Sequence, residues 1–376
     1  MVESDRVDAG GGITAVVISE GQGAVCTQCG QMTEKRHDRR SRMVLDEPLG
    51  EHRLTVVVRR RRFRCMGCSL VFTEVDEVSG PRRRLTARLR CKLCAEARGQ
   101  TVKQVAKYYE VSPTTVRRAI AEFSAKSMPN PDPVPRLGID EFSVRKGQRY
   151  ATALHDLDTH RVIDVVVGRK SSDVQGMLER IPDKEAVQVV SMDMSQSFRD
   201  AVQLVLPKAA IVADKFHVIA RVNEVLWGLC QQLTKDEKRG SLPRKLMRLL
   251  LRNRESLTSE ELARISPLLK THRGLRRAWL LKEDFRRWYR DSHSPAEARS
   301  EFHAWRREIN AQDQPPTFQA LNPMFDQWQD AILNYFTWHV TQGPVEGANN
   351  RIKTIERQAY GYRNFANLRT HILIAT

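Results

Sequence analysis

The spacing of apolar positions changes character along this chain, and the changes divide it. Residues 15–75 read as short strands: Ile13 to Ile18 is β-branched, and Arg53 to Phe63 (RLTVVVRRRRF) alternates weakly and then turns basic. From residue 82 the spacing becomes helical, at Leu85, Leu89 and Leu93, then at Val102, Val105 and Ala106. Pro129, Pro131, Pro133 and Pro135 follow at alternate positions and predict an extended spacer, since proline has no N–H for a helix or a ladder. Beyond it, 137–144, 150–157 and 161–168 predict three strands, with a tight turn at Asp156–His160. A helix over 171–181, a fourth strand over 186–193, a helix over 196–206, a fifth strand over 209–214 and a long helix from Lys215 to about Leu233 complete a βββαβαβα order. That order predicts an α/β fold with a mixed sheet flanked by helices. Residues 236 to about 340 are helical, basic and tryptophan-bearing, with Trp279, Trp288, Trp305, Trp328 and Trp338 expected mainly as core. Gly343-Pro344 opens a last helix reaching about Arg357.

The expected domains are a disordered N-terminus over 1–14, a small ribbon over 15–80, a helical domain over 81–127 and a proline-rich linker over 128–135. A mixed-sheet core over 136–235, a helical segment over 236–340 and a C-terminal helix over 341–376 follow. Charge then narrows the function classes. The 376 residues carry 62 Lys+Arg against 45 Asp+Glu, a formal charge of +17, which points to a polyanionic partner, nucleic acid by default; double-stranded DNA is the expectation once the helix-turn-helix below is added. No apolar run approaches the ~20 residues of a membrane span, and the N-terminus lacks a signal-peptide pattern, so the expected location is the cytoplasm. Seven cysteines, an odd number, argue against a disulfide framework.

Six of the seven fall in CxxC pairs. Cys26/Cys29 and Cys65/Cys68 each offer two thiolates from one turn, and four thiolates satisfy tetrahedral Zn2+. This predicts a zinc ribbon, with Gly30 and Gly67 supplying backbone freedom; a redox dithiol is the competing reading. Cys91 and Cys94 sit in a helical pattern and are expected as small buried hydrophobes.

Thr101 caps a short helix, Glu110-Val111 turns the chain, and Ser112-Pro113 starts a second helix to Phe123. Small Ala106, with Val111 and Val116 at the angle, fits a helix-turn-helix whose second helix enters the major groove. Thr114, Thr115, Arg117 and Arg118 are then candidates for base and phosphate contacts. The runs Arg59–Arg62 and Arg82–Arg84 are candidates for further phosphate contacts, or for solvated basic faces.

Acids on apolar strands are costly unless they hold a cation or cap a neighbour. Asp140 lies within the first core strand and Asp193 ends the fourth; Glu346 opens the last helix, followed by Asn349, Asn350 and Lys353. Converging, three carboxylates can hold two divalent ions, Mg2+ or Mn2+, at a phosphodiester. Each acid alone can equally be a cap. Asp214 is a further acid or a helix cap, Glu141 is expected on the opposite sheet face, and spacing does not choose among them.

GIDEFSVRKGQRYATALHDLDTHRVIDVVVGR, VVSMDMSQSF, VADKFHVI and EGANNRIKTIERQAYGYRNF resemble the DDE transposases of bacterial insertion sequences, most closely the ISL3 family, over roughly residues 25–376. The resemblance implies a ribonuclease-H-like core with Asp140, Asp193 and Glu346 as its triad, and makes 236–340 an insertion before the glutamate. It implies binding of terminal inverted repeats, metal-dependent strand cleavage and strand transfer, a dimer or larger assembly on DNA, and a nucleoid-associated location. Lys353, Arg357 and Arg363 become candidate backbone contacts near the cut. A DNA-binding regulator with an inactive core, or a nuclease without strand joining, are the alternatives.

Overall fold

The computed structural model describes residues 2–7, 11–19, 21–80, 83–127, 133–145, 149–236, 244–359, 362 and 364–375. It divides into two compact units, Met1–Met128 with Lys353–Thr376, and Pro129–Ile352.

The first unit opens with strands β1 (Val2–Val7) and β2 (Ile13–Ile18). Val2–Val7 is a strand paired antiparallel to β2, where the glycine- and acid-rich composition predicted disorder. Main-chain pairing to a sheet edge orders a segment that has no apolar pattern of its own. Then come β3 (Ala24–Val25), β4 (Met32–Thr33), β5 (Arg36–Leu49), β6 (His52–Arg64) and β7 (Val71–Thr73). The sheet order is β1-β2-β6-β5, with β7 also on β6. Val44, Leu54, Val56 and Val58 form its buried face. Three helices follow, α1 (Ala87–Glu96), α2 (Val102–Tyr108) and α3 (Pro113–Ser127). Leu89, Leu93, Cys94, Val105, Ala106, Val116 and Ile120 share one buried cluster. Cys94 is buried as expected, but Cys91 is exposed, since only one of the two faces the helical core.

The second unit begins within the linker. Residues 128–132 lie outside the described residues, while Pro135 already accepts main-chain hydrogen bonds from Gln188 and Val189. Strands β8 (Arg136–Arg145), β9 (Arg149–Asp156) and β10 (Val162–Val167) form a meander; helix α4 (Ser171–Leu178), strand β11 (Val189–Met192), helix α5 (Gln196–Val205), strand β12 (Ala210–Ala213) and helix α6 (Lys215–Asp236) follow. The sheet order is β10-β9-β8-β11-β12. The meander is antiparallel, whereas β11 pairs parallel to both β8 and β12. Leu137, Ile139, Val190, Met192, Phe198 and Val202 pack the face covered by α4 and α5.

Helices α7 (Arg244–Leu251), α8 (Ser259–Thr271), α9 (Arg273–Asp291), α10 (Pro295–Ile309), α11 (Asn322–Leu333) and α12 (Tyr335–Trp338) build the helical segment. Trp279, Trp288, Trp305 and Trp328 are buried in its core, with the Trp288 and Trp305 indoles donating to Ala298 O and Leu281 O at 2.9 and 3.0 Å. They are core residues, not exposed stacking platforms.

Helix α13 (Gly343–Gln358) crosses the division at Ile352, and α14 (Phe365–Ala375) ends the chain. The sequence assigns all of 341–376 to the catalytic core; the structure instead places Lys353–Thr376 in the first unit. Ile374 joins the α1–α3 core, and buried His371 donates through Nε2 to Ala97 O at 2.5 Å while its Nδ1 meets the Tyr362 hydroxyl. Burial lowers the His371 pKa, and one neutral tautomer satisfies both partners. α14 is nearly as apolar as a core helix, but periodicity cannot say which core it covers.

Candidate active site and nucleic-acid-binding elements

In the zinc-ribbon segment, Cys26 Sγ lies 3.6 Å from Cys68 Sγ and Cys29 Sγ 3.4 Å from Cys65 Sγ. All four sulfurs fall within 4.8 Å of one another. Zn–S bonds of about 2.3 Å in a tetrahedron require sulfurs just under ~4 Å apart, so the set fits a structural Zn2+. Each thiol pair comes from a turn of the same design. Cys26 N donates to Gln31 O and Gly30 N to Cys26 O; Cys65 N donates to Leu70 O and Ser69 N to Cys65 O. The left-handed residue is Gly30 in the first turn, φ 75°, and Ser69 in the second, φ 59°. Gly67, expected to supply that freedom, is not left-handed, and what lies against its missing Cβ is the movable end of the exposed Gln31 side chain. The main-chain N–H of Cys68 holds the Cys65 thiol down at about 6. Cys68 is pushed up to about 12, the pull of the Leu70 N–H being outweighed by burial and by three neighbouring sulfurs. Four thiolates so close need a cation between them.

In the helix-turn-helix, Thr101 and Gln104 form a reciprocal cap on α2. Glu110 turns the chain at φ 51°, and Ser112 Oγ accepts from Thr115 N at 3.1 Å to cap α3. Thr114, Arg117 and Arg118 are exposed on the first turns of α3. Thr115 is half-buried, and its hydroxyl is engaged with Ser112 Oγ at 2.9 Å, which leaves it part of the cap as well as of that face.

In the second unit, register aligns the acids. Ile139 on β8, Met192 on β11 and Ala213 on β12 are neighbours across three parallel strands. The next residue on each is Asp140, Asp193 and Asp214. Asp214 N donates to Met192 O at 2.7 Å, which locks the third acid into line. Carboxyl ends of parallel strands are where α/β sheets bind ligands. Helix α13 closes on the same edge. Gln342 Nε2 donates to Ile139 O at 3.1 Å, and Asn349 Nδ2 bonds Asp140 Oδ2. Gly138 permits the approach, since a Cβ there would lie 2.8 Å from Leu157 Cδ2 and 3.4 Å from Val345 Cγ2. Glu346 sits one turn before Asn349, on the same helix face. It is exposed, and lines one cavity of about 680 Å³ with Asp140, Asp214, Lys215 and His217. Among the described residues, only the four cysteines bring one ligand atom each within 4.8 Å; the acids share a neighbourhood but are not gathered that closely.

Burial raises the Asp140 pKa, against the hydrogen bonds from Glu141 N and Asn349. Burial pushes Asp193 up to about 6, against the pull of His217 and aided by the charges of Glu141, Asp140 and Asp214. The hydrogen bond from His217 Nδ1 to Asp214 Oδ2, 3.0 Å, holds the imidazole above its usual value. Asp193 Oδ1 is buried with no hydrogen-bond partner among the described residues. An orphaned carboxylate oxygen in an all-oxygen acidic edge is a fitting donor for a hard divalent cation.

Glu141 was expected on the opposite face, yet it lines the same cavity and pairs with Arg169 at 3.4 Å. Pairing of β8 with β11 ends at Ile139, so beyond that point no strand lies on that side of β8 among the described residues. Asp214, which spacing could not rank, is the acid whose position register decides. Lys353 and Arg357 are exposed on the part of α13 that belongs to the first unit, and Arg363 lies outside the described residues.

One consequence is measurable without DNA. A carboxyl with a raised folded pKa is neutral in the folded state below its unfolded value, near 3.8, and is destabilising once ionised above about 6. Asp193→Asn should therefore stabilise the metal-free protein at pH 7 by about 3 kcal/mol and flatten the loss of stability between about pH 4 and pH 7. Denaturant unfolding across pH checks this; equal stability of the two proteins at pH 7 would contradict it.

Comparison with known proteins decides the family. The DDE ISL3 family, described as "Transposase", matches residues 137–372, and the family described as "zinc-finger of transposase IS204/IS1001/IS1096/IS1165" matches residues 22–68. The chain belongs to the ISL3 transposase family. It is 30% identical to the "Transposase for insertion sequence element IS1001" of Bordetella parapertussis over 354 residues, which covers 90% of this chain and 86% of that one. It is 26% identical to the "Transposase for insertion sequence element IS1557" of Mycobacterium tuberculosis over 257 residues, or 61% of this chain and 57% of that one. A solved "Mos1 transposase paired-end complex with left transposon end" aligns with 35% of this chain and 60% of its own at 14% identity and a TM-score of 0.13, too slight a likeness to carry an argument. Family membership agrees with the ribonuclease-H-like α/β core and with the ribbon preceding it in the transposase. Among the described residues, no helix is long and apolar enough to cross a membrane.

Proposed function

We propose that this transposase binds the terminal inverted repeats of its element and carries out strand cleavage and strand transfer at Asp140, Asp193 and Glu346. The observation that carries this reading is the alignment of Asp140 with Asp193 across β8 and β11, with Glu346 one helical turn from the Asn349–Asp140 hydrogen bond. Two Mg2+ or Mn2+ ions held by these acids would activate the attacking oxygen and stabilise the leaving oxygen. Asn349 fixes the Asp140 carboxylate, so one of its oxygens keeps a set direction. Lys215 and the imidazole of His217 line the cavity and offset the charge of DNA phosphate. In cleavage a water oxygen bonds to phosphorus and the bond to the 3′-oxygen breaks, leaving a 3′-hydroxyl. In transfer that hydroxyl attacks a target phosphorus and releases the target's own 3′-oxygen. Because two element ends meet, the working form is a dimer or larger, acting on chromosomal DNA.

The purified protein with Mg2+, a duplex carrying the element's end and a target plasmid should give both nicked ends and end-to-target joints. Nicks without joints would favour a nuclease, and neither product would favour a regulator. Base recognition is assigned to the start of α3. Arg117→Ala with Arg118→Ala should lower end-DNA affinity about tenfold or more and narrow the gap between end and unrelated duplex. Unchanged affinity and preference would remove α3 from recognition.

A further inference from the structure

Hydrogen bonds and ion pairs redistribute the basic charge of the first sheet. The run Arg59–Arg62 on β6 looked from sequence like the phosphate-binding element, but most of it is neutralised. Arg60 pairs with Asp76 at 3.4 Å, and Arg62 with Asp38 at 2.9 Å. Arg61 is buried, with Glu74 at 2.7 Å and Ser19 Oγ at 3.0 Å. The strand opposite holds the opposite pattern. In register, Arg39 faces Arg61 and Arg40 faces Arg60, so two cross-strand pairs are arginine against arginine. Like charges directly opposite weaken a sheet unless something offsets them. The acids do so on β6 only. Arg36, Arg39 and Arg40 on β5 are exposed and have no partner among the described residues. They lie on an edge, since among the described residues this half of β5 pairs with β6 alone, the Leu45–Leu85 bridge falling further along the strand.

We propose that the Arg36–Arg40 edge of β5 is a second DNA contact of the transposase, one that holds the duplex backbone and reads no sequence. This rests on the DNA-binding reading above and adds a surface to it. Arg39 and Arg40 project to opposite faces of the ribbon, which suits a backbone that passes along the edge. The exposed stretch Arg36–Ser41 contains no Phe, Tyr or Trp to stack on unpaired bases, and its one imidazole, His37, lies 3.4 Å from Asp38, which favours intact duplex over single strands. Guanidinium forks match phosphate oxygens. Charged edge strands also block edge-to-edge pairing, and a salt titration separates the two roles.

The test measures affinity of the full-length protein for a mixed-sequence duplex over a range of salt. Each lost phosphate contact lowers the slope of log affinity against log salt by about 0.9, so Arg39→Gln with Arg40→Gln should lower it by about two. Preference for end over unrelated duplex should stay, and Arg39→Lys with Arg40→Lys should keep most of the slope. Zinc content equal to wild type reports an intact ribbon. If the double variant loses zinc, the single variants are each expected to lower the slope by about one. An unchanged slope in zinc-replete variants, with wild-type protein binding normally, overturns the edge contact alone. Wild-type protein with no salt-dependent affinity for any duplex overturns the DNA-binding reading with it.

Discussion

Cys65→Ser is expected to release the zinc and unfold both knuckles, while the α1–α3–α14 helical cluster stays folded. The reason is how little else holds the knuckles. Their own core is Cys26, Phe63, Cys65 and Phe72, and two of these four are the proposed zinc ligands. Among the described residues, strands β3 and β4 pair only with each other, over two residues each. A segment of this kind draws its folding free energy from the metal. The helical cluster has an independent core around Leu89, Leu93, Val116 and Ile120. Amide exchange should therefore become nearly unprotected at residues 24–33 and 65–73 and change little at 87–123. Because ligands must be thiolates, zinc affinity should also fall as pH falls. Natively folded protein with no zinc, or a Cys65→Ser protein with unchanged exchange, would contradict this.

The catalytic unit was legible because its strands are short, apolar and close in sequence. Each of the five lies within a few residues of its expected place, and the strong periodicity of β8, β11 and β12 fixes which residues end them. Asp140 and Asp193 stood out as candidates, since an acid beside an apolar strand is conspicuous, but only the family resemblance singled them out. Asp214 was visible but unranked: its importance comes from register with Met192, and register is a property of two strands together. The N-terminal sheet was less legible. Residues Arg36–Arg42 have no apolar alternation, so half of β5 could not be read as strand. It is held by its main-chain ladder to β6, with side chains pointing to solvent. The same blindness misplaced the free charge, because a run of arginines does not reveal which members face carboxylates. The sequence pattern carries the last helix only to about Arg357, so α14 was not legible as a separate helix nor as a companion of α3, for which the buried His371–Ala97 bond is the anchor.

Glu346→Gln should leave end-DNA binding intact and abolish both cleavage and joining. Asp140 and Glu346 lie 206 positions apart, and the intervening chain builds a helical layer before α13 returns to the sheet edge. That return brings Gln342 onto Ile139 and Asn349 onto Asp140, one turn on either side of Glu346. Gln is nearly isosteric with Glu, so these contacts and the fold should survive. Only the charge that binds a divalent cation is lost, and both reaction steps use the same ions. The expected fall in cleavage is about a thousandfold or more, equivalent to over ~4 kcal/mol of transition-state stabilisation. The strand-exposed face of the first unit is untouched, so duplex affinity should change by less than about twofold. The decisive measurement is cleavage and joining of labelled end duplex by wild type and Glu346→Gln side by side, with Mg2+ and with Mn2+, at protein concentrations that saturate the DNA. Products from wild type and none from the variant are the predicted result; equal products from both would contradict the assignment and move the missing carboxylate to Asp214.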